Sequence, residues 1–425
     1  MRLLYTALLY LLTPLVLLRL LWRGLQLRDY WYRWNERFGF VPRAENGVAV
    51  WVHAVSVGES LAALPLIRKL VAQHGERRVL VTTMTPTGSA RVREALKDSV
   101  LHTYVPYDLP GAVSRYLQRM RPRRVVVMET ELWPNLFRAL RRRGIPLVIA
   151  NARLSPRSFA GYSRVKGFAT QVLADCSEVA AQSELDAGRF RALGAARVSV
   201  MGNIKFDLDL PRSQLAAGKQ LRAALDPSAP VWIAASTHEG EEQAALAAHR
   251  QLRQKFANAV LILVPRHPQR FEAAARLVEK SGFACARRSQ IPFPPVPPDA
   301  PVEVLFGDSM GEMFMYFAAA DVAFVGGSLV PVGGHNVLEP AALGLPVLFG
   351  PHMHNFIGAR DLLLDAQAAT QVADAGALAQ ALERLLGDAA GRARMGAAGR
   401  QAVEANRGAL DRLLAIVAAT AESAA

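Results

Sequence analysis

Cysteine is nearly absent from this chain. Its 425 residues include two, Cys176 and Cys285, far apart in the sequence. That excludes a disulfide framework and a cysteine-built zinc site, and it suits a reducing compartment. Acidic residues are scarce in one half only. Residues 1–210 carry 31 Lys and Arg against 16 Asp and Glu, whereas residues 211–425 carry 19 against 20. The whole formal excess of +14 therefore sits in the first half and implies an anionic partner there. Nucleic acid, anionic lipid and a phosphorylated substrate all meet that condition. Wholesale disorder is excluded by a hydrophobic content of 51%.

The longest apolar run opens the chain. MRLLYTALLYLLTPLVLL is almost uncharged, and the run continues past Arg19 to Trp22. No small-residue cleavage site follows, which favours a retained anchor over a removed signal peptide. Arg23, Arg28, Arg33 and Arg37 come next, interleaved with Trp31, Tyr32 and Trp34. Positive charge after the run places the remaining chain in the cytoplasm, and the aromatic and arginine mixture suits a membrane interface. A buried helix is the competing reading. The run fits a helix that crosses a bilayer and one that lies in a leaflet equally well.

Beyond the anchor, apolar β-branched runs alternate with helical segments. They are Val48–Val52, Val79–Thr83, Leu101–Val105, Val125–Met128, Leu147–Ala150 and Val198–Met201, then Val231–Ala235, Val260–Val264, Val302–Phe306, Val322–Val325 and Val347–Phe349. Such alternation predicts parallel sheets covered on both faces, and two series predict two doubly wound α/β domains. The expected division is an anchor over 1–40, a first domain over 41–210 and a second over 211–425. The second would include a terminal helix from about Ala397 to Ala419. The polar stretch 203–230 reads as the linker, and the proline-rich 289–301 as a stiff surface loop.

Ligands of open α/β sheets bind at the carboxyl ends of the strands, so the residues that follow each strand matter most. In the first half these are Ser56-Val57-Gly58-Glu59, TMTPTGSA, Glu129-Thr130-Glu131 and Asn151-Ala152-Arg153. Hydroxyls, acids and amides of this kind suit a polyhydroxy substrate. In the second half they are Ser236-Thr237-His238-Glu239-Gly240, Arg266-His267, Gly326-Gly327-Ser328 and Gly333-Gly334-His335-Asn336, with Glu339 one turn later. Glycines before a helix can cradle a phosphate on backbone N–H groups, and a helix-borne carboxylate can bind ribose hydroxyls. Asp207-Leu208-Asp209 has an Asp-x-Asp pattern, but it lies in the linker and reads as a solvated pair. His352 and His354 have a two-residue spacing, but no nearby cysteine completes a site, so no metal site is expected.

Nine stretches in order along nearly the whole chain resemble the Kdo transferases, which add 3-deoxy-D-manno-octulosonic acid to the lipid A precursor. They are HAVSVGES, TTMTPTGSARV, METELWPN, NARLSPRS, GNIKFD, STHEGEE, LVPRHPQRF, GDSMGE and FVGGSLVPVGGHNVLEP. The resemblance implies a GT-B glycosyltransferase fold, two Rossmann-like halves facing a cleft. It implies lipopolysaccharide biosynthesis, a CMP-Kdo donor, a lipid IVA acceptor, and an inner-membrane location with the catalytic domains on the cytoplasmic face. No metal or other cofactor is implied. By motif, Glu59 matches the general base, and Glu129 and Lys205 match positions that support the transition state. Arg266 and His267, then Gly311, Glu312 and Met313, then Asn336, Val337, Leu338 and Glu339 match the CMP-binding segments. The partners implied are CMP-Kdo, lipid A precursor and anionic membrane lipid, with Arg138, Arg141, Arg142 and Arg143 available to headgroups. A GT-B enzyme using a UDP-sugar on a lipid acceptor is the alternative. A membrane-tethered nucleic-acid-binding protein is a more distant one, weakened by the absence of a nucleic-acid motif.

Overall fold

A computed structural model describes residues 1–226, 228–292 and 301–422. The chain forms two compact units: residues 1–207 with 407–425, and residues 208–406. The proline-rich loop expected over 289–301 falls largely on residues 293–300, outside the described residues.

The first unit is built on seven strands: β1 (Val50–His53), β2 (Val79–Thr83), β3 (Leu101–Tyr104), β4 (Val125–Met128), β5 (Leu147–Ala152), β6 (Glu178–Ala181) and β7 (Val198–Val200). Their order in the sheet is β3-β2-β1-β4-β5-β6-β7, and every pairing is parallel. Alternate residues of one strand enter opposite cores. Trp51, Val125, Val127 and Ile149 pack on one side of the sheet. Val50, Val52, Val126 and Val148 pack on the other. This two-sided burial is what turns the strands into continuous apolar runs in the sequence.

The second unit repeats the plan with β8 (Val231–Thr237), β9 (Val260–Pro265), β10 (Cys285–Arg287), β11 (Val304–Phe306), β12 (Val322–Val325), β13 (Val347–Phe349) and β14 (Ala369–Gln371). The order is β10-β11-β9-β8-β12-β13-β14, again all parallel. Trp232 and Ala234 face one core, Val231, Ile233 and Ala235 the other. The two doubly wound parallel sheets expected from the sequence are present.

Three strands, β6, β10 and β14, are absent from the sequence expectation. Their segments, EVAA, CAR and ATQ, are too short and too poor in β-branched residues to stand out. The chain end also differs from expectation. The helix read over 397–419 is two helices, Ala389–Ala405 and Ala409–Glu422, separated by a turn in which Gly408 has a φ of 86°. The second of them packs on the first unit, not the second. Ala409, Leu410, Leu413 and Val417 complete the core that holds Val50 and Val126. Asp207, read as half of a solvated pair, accepts the backbone N–H groups of Gly408 (2.6 Å) and Leu410 (2.5 Å). It caps the returning helix, while Asp209 is exposed.

The N-terminal run is one helix, Arg2–Gln26. It carries Leu3 at 88% exposure, and Leu4, Leu11, Leu15, Leu18, Trp22 and Leu25 are exposed as well. Removing a leucine side chain wholly from water is worth about 1.5–3 kcal/mol. A face of this size therefore has a strong preference for an apolar surrounding.

Candidate active site

At the carboxyl edge of the first sheet, β1 ends at His53 and the chain turns into the helix Val57–His74. Ser56 caps that helix, its Oγ accepting the Glu59 N–H at 3.2 Å. Glu59 returns its carboxylate to the N–H groups of Val55 (2.9 Å) and Ser56 (3.3 Å). This is a capping box, and it fixes the carboxylate in the turn while leaving each oxygen a further lone pair.

Two more carboxylates gather here. Glu129 directly follows β4 with a φ of 57°, its N–H donating to Ala150 O at 2.8 Å. A side chain other than glycine is rare in that conformation and marks a backbone over-determined by its surroundings. Burial pushes the Glu129 carboxyl above the usual range, the Glu59 charge adds to this, and Lys205 and Arg153 oppose it. Glu131 is likewise raised by burial and then by Glu59, and it accepts the Trp133 Nε1–H at 3.2 Å. Three acids thus share one electrostatic neighbourhood with two cations.

Lys205 reaches this edge through a relay of amides. Asn151, itself at a φ of 53°, accepts the Ile204 N–H at 3.2 Å on its side chain. Its carbonyl takes the Gln182 amide at 2.9 Å, and Gln182 in turn accepts from Asn203 at 3.2 Å. Asn203 Oδ1 accepts the Lys205 N–H at 3.0 Å. So Glu59, Glu129 and Lys205, expected from the sequence as one group, stand at one edge. Sequence reasoning missed Asn151 as the organiser and His53 beneath the turn. His53 is fully buried, hydrogen-bonded to Thr82 Oγ1 at 2.9 Å and edge-on to Trp133. Burial lowers its pKa to about 4, which keeps it neutral. Among the described residues, His53 Nε2 and Asn151 Nδ2 have no hydrogen-bond partner. A histidine closing an apolar strand was the signal available for it.

The second unit places a different set at its strand ends. Ser236, with a φ of 56°, leads from β8 into His238. His238 Nε2 and His335 Nε2 are 2.8 Å apart, so one ring carries the shared proton and the other accepts it. His267 stands edge-on to His238. Burial, then the Arg266 charge, lowers the His335 pKa to about 4. Asn336 donates to Glu339 at 3.0 Å, and burial pushes the Glu339 carboxyl up while Arg266 opposes it. Arg266, His267, Asn336 and Glu339 therefore share one neighbourhood. Val337 and Leu338 are buried and anchor this segment in the core. Gly311, Glu312 and Met313 follow β11. Gly311 O accepts from Gln214 at 2.8 Å, Glu312 accepts from Arg288 at 2.8 Å, and Met313 packs against a core.

The glycine pair Gly326-Gly327 is not the open phosphate cradle that the sequence suggests. The carboxylate of Glu241, fully buried, already accepts the N–H groups of Gly327 (2.6 Å), Ser328 (2.9 Å) and Leu329 (2.9 Å), and that of His238 (2.9 Å). A Cβ on Gly326 would lie 2.7 Å from Ser236 O, so the close approach of the two loops requires glycine there. The chain supplies its own anion to this nest and ties the β8 loop to the β12 loop. The helix after Asn336 is the five-residue Leu338–Ala342. Among the described residues, no three His, Cys, Asp or Glu side chains are grouped as metal ligands.

Two doubly wound parallel sheets of this kind, with polar groups gathered at their carboxyl edges, define a GT-B-like class of fold. The UDP-GlcNAc 2-epimerase of Neisseria meningitidis, solved with UDP-GlcNAc, superposes with a TM-score of 0.56 over 87% of this chain and 99% of that one. At 12% identity it shows the GT-B-like fold alone. Sequence narrows the class. The family model for 3-deoxy-D-manno-octulosonic-acid transferase (kdotransferase) matches residues 32–208. The 3-deoxy-D-manno-octulosonic acid transferase of Haemophilus influenzae is 42% identical over 97% of both chains. That of Bordetella pertussis is 39% identical over 89% of both. The chain belongs to the Kdo transferase family of glycosyltransferases.

Two substitutions test this geometry. Glu241→Gln replaces one acceptor oxygen with an amide that faces N–H donors. It should lower the unfolding free energy by about 1.5–3 kcal/mol in denaturant titrations; an unchanged midpoint would show that the nest tolerates an amide. For Glu129 the sign follows from its raised pKa. The folded state binds this proton more tightly than the unfolded state, so its contribution to stability falls as pH rises through the folded value. Glu129→Gln removes that titration. The stability difference between variant and wild type should move in the variant's favour from about pH 4 to about pH 8, and the opposite trend would contradict the assignment.

Proposed function

We propose that this Kdo transferase moves Kdo from CMP-Kdo to a hydroxyl of a lipid A precursor, lipid IVA, with inversion at the anomeric carbon. The observation that carries the reading is the grouping of Glu59, Glu129 and Lys205 at one strand edge, with Arg266, His267, Asn336 and Glu339 grouped at the corresponding edge of the second unit.

A sugar hydroxyl is a weak nucleophile, so its proton has to leave as the new bond forms. Glu59 takes that proton in this reading, held by its capping box at the turn after β1. The hydroxyl oxygen bonds to the anomeric carbon, and the bond from that carbon to the CMP phosphate oxygen breaks. The leaving phosphate is already a stable anion and needs charge stabilisation more than a proton. Lys205 and Arg266 are the cations offered for this. Glu129 acts as a charged neighbour that positions Lys205 and favours the cationic character of the transition state. Arg266, His267, the backbone at Gly311–Met313 and the Asn336–Glu339 segment hold the cytidine monophosphate part. The reaction needs no metal. The apolar helix and the arginines that follow it support attachment to the inner membrane, with the catalytic units on the cytoplasmic face.

The structure selects the variant for the test. Glutamine can keep one of the two backbone N–H bonds that the Glu59 carboxylate accepts, so Glu59→Gln retains the capping turn at some cost in stability and removes the base. Mass spectrometry would follow transfer from CMP-Kdo to lipid IVA in the presence of excess chelator. Wild type should transfer; Glu59→Gln should remain folded with a somewhat lower melting point, be stabilised by CMP and not by UDP, and lose transfer by about 100-fold or more. Near-normal transfer by the variant would remove Glu59 from the role. Stabilisation by UDP alone would favour a UDP-sugar donor, and activity restored only by a divalent ion would overturn metal independence.

A further inference from the structure

The helix Arg2–Gln26 is about 36 Å long, enough to cross the hydrocarbon core of a bilayer. Both of its ends, however, are tied to the same folded body. In its first turn Arg2 pairs with Asp175 at 2.8 Å. Tyr5 donates to Asp108 at 3.0 Å, and Thr6 to Asn135 Oδ1 at 3.1 Å. Asp175 also receives Arg138 (3.4 Å) and Arg141 (3.6 Å), and its side chain is 2% exposed. The attachment point is therefore a buried, multiply bonded carboxylate.

At the other end the chain folds straight back. The 3-10 turn Arg28–Trp31 lies against the helix, with Trp31 Nε1 donating to Leu21 O at 3.0 Å. A Cβ on Gly24 would lie 1.7 Å from the Trp31 ring, so that approach needs the glycine. Arg33 then donates to Ser89 Oγ and to His102 O, each at 3.1 Å. Glu36 accepts the Tyr104 N–H at 2.8 Å, and Arg37 donates to Met84 O at 2.9 Å. From Leu27 to Arg33 the chain spans at most about 20 Å fully extended, less than the ~30 Å of a hydrocarbon core. Between the ends, the less exposed positions Arg2, Thr6, Leu9, Thr13, Leu17, Leu20 and Gly24 form one stripe at helical spacing. Leu4, Leu8, Leu11, Leu15, Leu18, Trp22 and Leu25 face away from it.

We propose that this helix does not cross the membrane. It lies along the first unit and presents its outer face to a single leaflet, as an in-plane anchor at the boundary between headgroups and acyl chains. The inference rests on the membrane attachment read above and specifies its topology. The occupant of the apolar face is lipid. The cationic first half, the exposed Trp22, Trp31 and Tyr32 and the arginines beside them fit an anionic interface.

The test uses the full chain with a protease-cleavable tag ahead of Met1, made in a bacterial host. Sealed everted inner-membrane vesicles, cytoplasmic face outward, are treated with the protease from outside. The expected result is that the chain pellets with the vesicles and loses its tag completely before any detergent is added. A tag protected until detergent opens the vesicles would overturn the in-plane topology and leave membrane attachment standing. A chain that stays in the supernatant, as a soluble dimer or otherwise, would overturn both.

Discussion

A parallel sheet covered by helices on both faces has no polar side. That constraint governs both units of this protein. Trp51 and Val52, or Trp232 and Ile233, alternate between two cores, so neither face can hold water or substrate. The carboxyl ends of the strands are where polar groups can gather. The backbone there is bent to fit. Glu129, Asn151 and Ser236 all adopt the left-handed region without being glycine, and each sits at a strand end beside the candidate chemistry. Strain of this kind is tolerated when the surrounding hydrogen bonds over-determine it.

In the proposed reading, the same architecture serves two purposes in one chain. The first edge concentrates carboxylates and a lysine and is suited to moving a proton and stabilising developing charge. The second edge concentrates histidines, an arginine and amides, and is suited to holding a nucleotide. Its glycine loop is closed by Glu241, which places the loop rather than leaving it open to an outside phosphate. Rigidity is distributed accordingly: the turn bearing Glu59 is held by its own cap, and the segment bearing Lys205 by Asn151 and Gln182.

Much of this was legible in the sequence, for physical reasons. Eleven β-branched runs marked strands because two-sided burial demands them. Glu59 and the acids after β4 could be placed at strand ends by counting. What escaped was non-local. No local pattern says that the last helix returns to the first sheet, that Asp207 caps it, or that Glu241 fills the amides of Gly327 to Leu329 some ninety residues away. Nor does a leucine-rich run disclose that Arg2 and Tyr5 bond to Asp175 and Asp108. Short strands such as CAR and ATQ lacked the apolar content that made the others visible.

The central claim is a division of labour between two strand edges, and hydrogen exchange of the full chain with and without CMP addresses it most directly. The account predicts slowed exchange in the second unit, around residues 236–241, 266–270, 309–313 and 333–339, with residues 53–60 and 129–133 unchanged. Protection of the first unit's acidic edge, with the second unit unaffected, would contradict it.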